Sequence, residues 1–195
     1  MTVEAYIDEV LAIWSETGRR TTCTISGHSM EPLVRAGDTL VVRHGSGDVR
    51  IGDVVLFKVG ERLVAHRIVA LRSSPSGDEV FVAKGDASPA LDETLPRGRI
   101  LGVVEEVRGT RGRLLLRGRY WRLAGRLLAV HSYASTVEAR RSSLLWRLAG
   151  VPHRVRKMIP WGGSLRGALV AVMRGMARLL PWSPRGSESP TGGPP

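Results

Sequence analysis

The sequence predicts a mainly β protein with a coiled, barrel-like fold, an N-terminal helix and a basic helical C-terminal extension. Between residues 19 and 108, short runs rich in β-branched residues alternate with turn signals made of Gly, Pro and Asp. Many short strands joined by close turns favour a barrel or sandwich-like arrangement over a parallel α/β sheet. Past residue 118 the composition changes, and arginine-rich stretches with helical character follow.

The chain is expected to divide into four regions. They are an amphipathic helix at 1–18, the β domain at 19–117, the basic helical extension at 118–182 and a disordered tail at 183–195. Within the first region, the helix is predicted over residues 3–16, with Thr2 as N-cap and Gly18 as the stop. Its apolar face consists of Val3, Ile7, Val10, Leu11 and Trp14.

Six strands are predicted in the β domain. They are Thr21–Ile25, Thr39–Arg43, Val54–Val59, Arg62–Leu71, Glu79–Ala83 and Ile100–Val107. The dipeptide Gly60-Glu61 separates the third and fourth runs, so a hairpin is the simplest pairing of these two strands. A further strand within Arg111–Arg117 is expected to pair with the sixth strand across Gly109.

Three helices are predicted in the basic extension, at Tyr120–Val130, Ser143–Leu148 and Ser164–Leu180. The last has a leucine-rich face opposite an arginine face, with Trp161 and Trp182 at its ends. Such a helix is typical of an interfacial membrane segment, and it is equally typical of a helix docked on the β domain with its arginines in water. The pattern leaves both interpretations open.

The formal charge is divided unevenly along the chain. Residues 1–106 carry a net charge of −4 and residues 107–195 one of +15, which indicates an anionic partner for the second half. An anionic membrane surface and nucleic acid would both serve as this partner, and nucleic acid is the less favoured because the tail has no recognisable nucleic-acid motif. Neither a signal peptide nor an apolar run of the roughly 18 residues that span a bilayer is found. We therefore expect a cytoplasmic protein, or one peripheral on the cytoplasmic membrane face.

The candidate nucleophile is a serine on a tight turn, in the stretch Gly27-His28-Ser29-Met30-Glu31-Pro32. Gly27 lets another backbone approach, and Met30 is an apolar plug that can enter the core while Ser29 faces outward. Most serines in turns only bond nearby backbone groups, so the stretch alone leaves that reading open. The single cysteine, Cys23, lies in a strand-like run and is predicted to be a small core residue.

A serine nucleophile needs a base and a group that orients the base, and His66 is the best placed of five histidines. His28 adjoins Ser29, where neighbouring side chains diverge, and His44 is expected to be solvated at a Gly-rich turn. The other two, His131 and His153, are expected outside the β domain. His66 lies on an apolar strand, where it is either a satisfied core residue or a base. The loop that follows the next strand offers two carboxylates, Asp86 and Asp92, that could orient the base. The plainer alternatives are an Asx-type turn for Asp86 and a solvated loop carboxylate for Asp92.

Several short motifs occur together in the order found in one family. They are Gly-His-Ser-Met-Glu-Pro, Gly37-Asp38, Ile51-Gly52-Asp53-Val54-Val55-Leu56-Phe57, Ala65-His66-Arg67-Ile68-Val69, Lys84-Gly85-Asp86-Ala87-Ser88 and Leu101-Gly102-Val103-Val104. The chain thereby resembles the type I signal peptidases (peptidase family S26) over about residues 20–107. The His66-Arg67 pair is similar to the archaeal and endoplasmic-reticulum type, in which histidine replaces the bacterial catalytic lysine.

This resemblance implies a serine endopeptidase with the coiled all-β fold shared with self-cleaving SOS repressors. It implies Ser29 as nucleophile, His66 as general base and Asp92 as catalytic aspartate, with Asp86, Gly27 and Met30 in support. The implied substrate is an extended leader or signal-like segment of a peptide or protein precursor, and no cofactor or metal is implied. Two departures stand out: Gly27 replaces a hydroxyl that assists the oxyanion hole in some relatives, and the membrane span of the relatives is missing.

Two other functions stay open. A self-cleaving regulator would use lysine as base and needs a cleavable segment upstream, where no Ala-Gly or Cys-Gly pair precedes Ser29. A catalytically inactive β module would act only through its Arg-rich tail, by binding an anionic membrane or nucleic acid.

Overall fold

The structure, a computed structural model, describes residues 9–10, 13–14, 16–45, 47–60, 62–88, 91 and 94–148; in the C-terminal helix, side chains are described for 119–134 and 136. Its eight strands are β1 Arg20–Thr24, β2 Thr39–His44, β3 Val54–Val59, β4 Arg62–Ser73, β5 Glu79–Lys84, β6 Thr94–Pro96, β7 Ile100–Gly109 and β8 Gly112–Leu115. A 3-10 turn at Arg97–Arg99 joins β6 to β7, and helix α1 spans Arg119–Leu148. The prediction of a mainly β fold is confirmed.

The eight strands form one antiparallel sheet in the order β1-β2-β7-β3-β4-β5-β6, with β8 paired to the end of β7. The predicted hairpin is present, since Val59 of β3 lies opposite Arg62 of β4. The expected strand after Gly109 is also present, as β8. Pairing shifts register at three bulges, two in β7, opposite β2 and β3, and one in β4. Bulges increase local twist, which bends this sheet around its core.

Two main hydrophobic clusters fill the protein. The first joins β2, β3 and β7 to the loop after β1 and to α1, through residues that include Met30, Leu40, Val104 and Trp121. The second lies between β3, β4, β5 and β7 around Phe57, Ile68 and Phe81. Cys23 is half buried against the first cluster, and this burial raises the pKa of its thiol.

Helix α1 is one continuous helix of 30 residues where two separate helices, Tyr120–Val130 and Ser143–Leu148, were predicted. Ser, Thr and Val residues between them weaken the helical pattern, but no Gly or Pro interrupts it after Gly125. One face of α1 lies on the sheet, with Trp121, Leu128 and Ala129 buried. Strand β6 was not predicted, because three residues ending in Pro96 give too short a pattern.

The described residues between 9 and 17 are helical, as predicted for the N-terminal segment. Residues 3–8, the predicted helix Ser164–Leu180, His153 and the tail 183–195 lie outside the described residues. In the part of the chain that the structure describes, no helix combines the length and apolar character that crossing a bilayer requires.

His44, at the end of β2, is buried rather than solvated as expected, with 1% of its surface exposed. Its Nε2 lies 2.7 Å from Thr21 Oγ1, and the Trp14 ring contacts it edge-on at 5.2 Å between centroids. Thr21 of β1 and Trp14 of the N-terminal helix cover the His44 ring. The Gly-rich sequence that follows His44 gives no sign of this burial. Desolvation by this burial lowers the pKa of His44.

Helix α1 and the turn before β3 approach each other closely at two glycines. A Cβ placed on Gly125 would lie 2.8 Å from the carbonyl oxygen of Gly52, closer than such contacts allow. We expect Gly125→Ala to destabilise the protein by about 1–3 kcal/mol in urea unfolding, because the helix must move off the sheet. Helix propensity alone would make the same change stabilising by about 1 kcal/mol. Gly47→Ala, with nothing within 4 Å of its Cβ, is the control.

A second prediction concerns acid stability. In the folded state the pKa of His44 lies below its ordinary value. Between the folded and unfolded pKa values the unfolded chain binds more protons, so the stability of the protein rises with pH in that window. The free energy of unfolding should therefore fall as pH drops below about 6.5, the ordinary histidine value. In His44→Gln the fall between pH 7.5 and 5.5 should be smaller. Equal pH dependence in both proteins would contradict the prediction.

Candidate active site

The loop between β1 and β2 presents Ser29 at the surface and anchors its neighbours in the core. Met30, Leu33 and Val34 are buried in the first cluster, while Ser29 is only half buried. The amide of Val34 donates to the carbonyl of Met30 at 3.0 Å, and the Glu31-Pro32 peptide bond is cis. Burial of the apolar residues that follow Ser29 fixes the direction of the serine.

Ser29 and His66 are in direct contact, although 37 residues separate them. The distance between Ser29 Oγ and His66 Nε2 is 2.8 Å, within hydrogen-bond range. His66 is 8% exposed on β4, and its ring packs edge-on against Phe57 with centroids 6.0 Å apart. With Nε2 unprotonated, this pair has the geometry in which an imidazole removes the proton of an attacking hydroxyl.

The turn after β5 closes the other side of the pair. The amide of Ala87 donates to the carbonyl oxygen of Ser29 at 2.7 Å. A Cβ on Gly85 would lie 2.7 Å from that oxygen and 3.0 Å from His66 Nε2. Any side chain at residue 85 would therefore displace the serine, the histidine or both.

A buried ion pair supports this turn from beneath. The guanidinium of Arg67 bonds both carboxylate oxygens of Asp86, at 2.8 and 2.6 Å, and both side chains are fully buried. Arg67 also donates to the carbonyl of Gly52 at 2.8 Å, and its guanidinium carbon lies 5.7 Å from the centroid of the Trp121 ring. One arginine thus joins β4, the turn after β5, the Gly52 turn and α1.

Helix α1 adds a second polar contact behind the site. Lys84 is buried, and its Nζ donates to Ser132 Oγ at 2.9 Å and to the carbonyl of Gly85 at 3.1 Å. His131 was expected outside the β domain, but it is half buried and close enough to Lys84 to feel its charge. Desolvation lowers the pKa of His131, as does the charge of Lys84, while the charge of Asp86 acts in the opposite sense.

Arg111, in the β7–β8 turn, holds the far end of the Ser29 loop. It donates to the carbonyls of Pro32 and Leu33 at 2.9 and 2.7 Å, and to Asp38 Oδ2 at 3.2 Å. A Cβ on Gly109 would overlap the Asp38 carboxylate, so this position accommodates only glycine. The loop is fixed at both ends.

The other predicted site residues do not all lie beside Ser29 and His66. Asp86 lies in the supporting layer, and Met30 is in the core. Among the described residues beyond its two chain neighbours, none has a heavy atom within 4 Å of a Cβ built on Gly27. His28 is exposed and bonds Glu31 Oε1 at 2.7 Å through Nδ1, away from a role as base. Asp92 lies outside the described residues, so its catalytic role stays a prediction.

Several residues of the site received no role of their own from the sequence, although Arg67 and Lys84 lie in the quoted motifs. Arg67 is the one with a usable signal, because an arginine on a strand buried on both faces needs a buried carboxylate. Lys84, Arg111 and Trp121 gave none, since each acts through distant partners. Among the described residues, no cluster of three His, Cys, Asp or Glu side chains could hold a metal ion.

Residues 2–88 match the family described as Peptidase S24-like. The match spans β1 to β5 and includes Ser29, His66, Arg67 and Asp86. This part of the chain is therefore peptidase-like, and the family suggests a serine-protease type of function. No curated protein matches the chain.

The buried ion pair leads to a prediction with a matched control. Asp86→Asn leaves the Arg67 charge buried without its partner, and we expect a loss of about 3–5 kcal/mol in the free energy of unfolding. Asp48→Asn removes the exposed partner of Arg50 and should cost less than about 1 kcal/mol. Chemical denaturation of the three proteins gives both numbers. Similar losses in the two variants would contradict the account of Arg67 as the central support.

Proposed function

We propose that the protein is a serine endopeptidase of the signal-peptidase type, which cleaves an extended leader or signal-like segment of a peptide or protein precursor. The observation that carries the proposal is the 2.8 Å contact between Ser29 Oγ and His66 Nε2. The Peptidase S24-like match over the residues that build this pair supports the same reaction class.

The proposed reaction begins when Ser29 Oγ attacks the scissile carbonyl carbon and its proton passes to His66 Nε2. The tetrahedral intermediate collapses, the C–N bond breaks, and His66 gives the proton to the leaving amine. Water then attacks the acyl-enzyme with His66 again as base, which releases the acid and restores Ser29. We assign Asp92 the role of orienting the imidazole and stabilising its charged form.

The proposed substrate site runs along the edge of the sheet beside Ser29. Among the described strands, β1 pairs with β2 alone, and the chain leaves β1 at Thr24, five residues before Ser29. An extended peptide can add to such an edge through its backbone, which gives affinity with little dependence on sequence. Gly27 lies between β1 and Ser29 in the sequence, and no described residue crowds a Cβ built on it.

The oxyanion is proposed to bind the backbone amide of Ser29. Gly27 carries no hydroxyl, so a second donor from that position would have to be its backbone N–H. We propose the archaeal and endoplasmic-reticulum subtype for this protein because of the His66-Arg67 pair. In this pair His66 contacts Ser29 and Arg67 is bonded to Asp86.

The test is cleavage of a mixed set of precursor and leader peptides, followed by mass spectrometry. Ser29→Ala and His66→Ala should each lower the turnover rate by at least about a thousandfold, because the residues of such a unit act together. Asp92→Asn should lower the turnover rate with little change in KM. The matched controls are Ser26→Ala and His28→Ala, which remove a serine and a histidine three residues or fewer from the nucleophile and should retain most of the rate.

Cleavage that survives Ser29→Ala would exclude this mechanism. If folded wild-type protein cuts none of the peptides and yet binds a polyanion in all variants alike, the inactive β module would be the better description. Fragments of the chain itself, lost in Ser29→Ala, would indicate the self-cleaving alternative.

A further inference from the structure

Helix α1 has three distinct faces over residues 119–134. One face is buried on the sheet and contains Trp121, Gly125, Leu128 and Ser132. The remaining two faces are exposed, and each has its own chemistry. Because the buried face already fixes the helix to the protein, the other two are presented to the surroundings in a defined orientation.

The first exposed face is apolar. Tyr120, Leu123, Leu127 and Val130 are exposed by 85%, 62%, 57% and 65%. At about 100° per residue they share an arc of roughly 80° on the helix. Scattered exposed apolar side chains are ordinary, whereas four in one stripe along a helix mark an interaction surface.

The second exposed face is basic and adjoins the stripe along its length. It consists of Arg119, Arg122 and Arg126, all of which are exposed. Glu138 and Glu188 are the only acidic residues after Glu106, so the surface and the chain beyond it are strongly positive. A partner must therefore offer apolar contact and negative charge side by side.

We propose that this face of α1 docks the protein on an anionic lipid surface, with the stripe in the headgroup and acyl boundary and the arginines against lipid phosphates. A helix with aliphatic residues beside arginines is the type that lies in this interface. Nucleic acid fits less well, because Leu123, Leu127 and Val130 cannot stack on bases. The basic segment 164–180 of the same chain fits less well too, since its arginines would meet those of α1.

The proposal is independent of catalysis, so it is tested by binding. Full-length protein is mixed with vesicles of phosphatidylcholine alone, or with about one-third phosphatidylglycerol, and separated by flotation at low and high salt. Wild type should float only with the anionic vesicles, and less so at high salt. Leu123→Ser/Leu127→Ser should weaken binding by at least about tenfold, because two side chains lose their place in the lipid.

The matched control is Val59→Ser/Leu63→Ser on the β3–β4 hairpin, which removes two comparably exposed apolar side chains that do not belong to α1. It should bind as wild type does, whereas Arg119→Gln/Arg122→Gln/Arg126→Gln should bind weakly and with a smaller salt effect. Thermal melting verifies that each variant is folded.

Three results would overturn the proposal. One is equal vesicle binding by the leucine variant and its control. Another is tighter binding of single-stranded RNA than of anionic vesicles at the same salt, with the RNA affinity unchanged in the leucine variant. The third is absence of vesicle binding together with a dimer that the leucine variant dissociates, which would assign the face to a second copy of the chain.

Discussion

The fully buried ion pair of Arg67 and Asp86 is the interaction on which the rest of the site depends. Neither charge is stable in the interior without the other, so their bidentate contact fixes β4 against the turn that follows β5. His66 precedes the arginine, and Ala87, which bonds the carbonyl of Ser29, follows the aspartate. Ser29 and His66 are thereby held through the residues next to Asp86 and Arg67.

Helix α1 belongs to this arrangement and is more than an appendage to the β domain. It contacts the pair through Trp121, meets the backbone of the Gly52 turn at Gly125, and reaches Lys84 through Ser132. The Gly52 carbonyl that Arg67 bonds lies in the turn that Gly125 touches. A helix packed in this way is part of the layer directly beneath the serine and histidine.

Much of the fold could be predicted because local patterns and global structure agree. Alternation and turn residues located β3 and β4 and the turn between them, where Gly60 has positive φ. The contact between Ser29 and His66 was expected only through a resemblance, since no local pattern states which strands become neighbours. The burial of His44 and the links from Arg67 to Trp121 and from Lys84 to Ser132 depend on long-range packing. These features become visible only when the elements are assembled.

The contacts of Arg111 have a consequence for the order in which the molecule is completed. The loop that carries Ser29 is made early in the chain, but the guanidinium that binds its carbonyls comes 78 and 79 residues later. Until the β7–β8 turn has been synthesised and has joined the sheet, these two carbonyls and the Asp38 carboxylate lack that ligand. A nascent chain that ends before this turn therefore holds the serine without its final support, and the site matures only when nearly all of the β domain has left the ribosome.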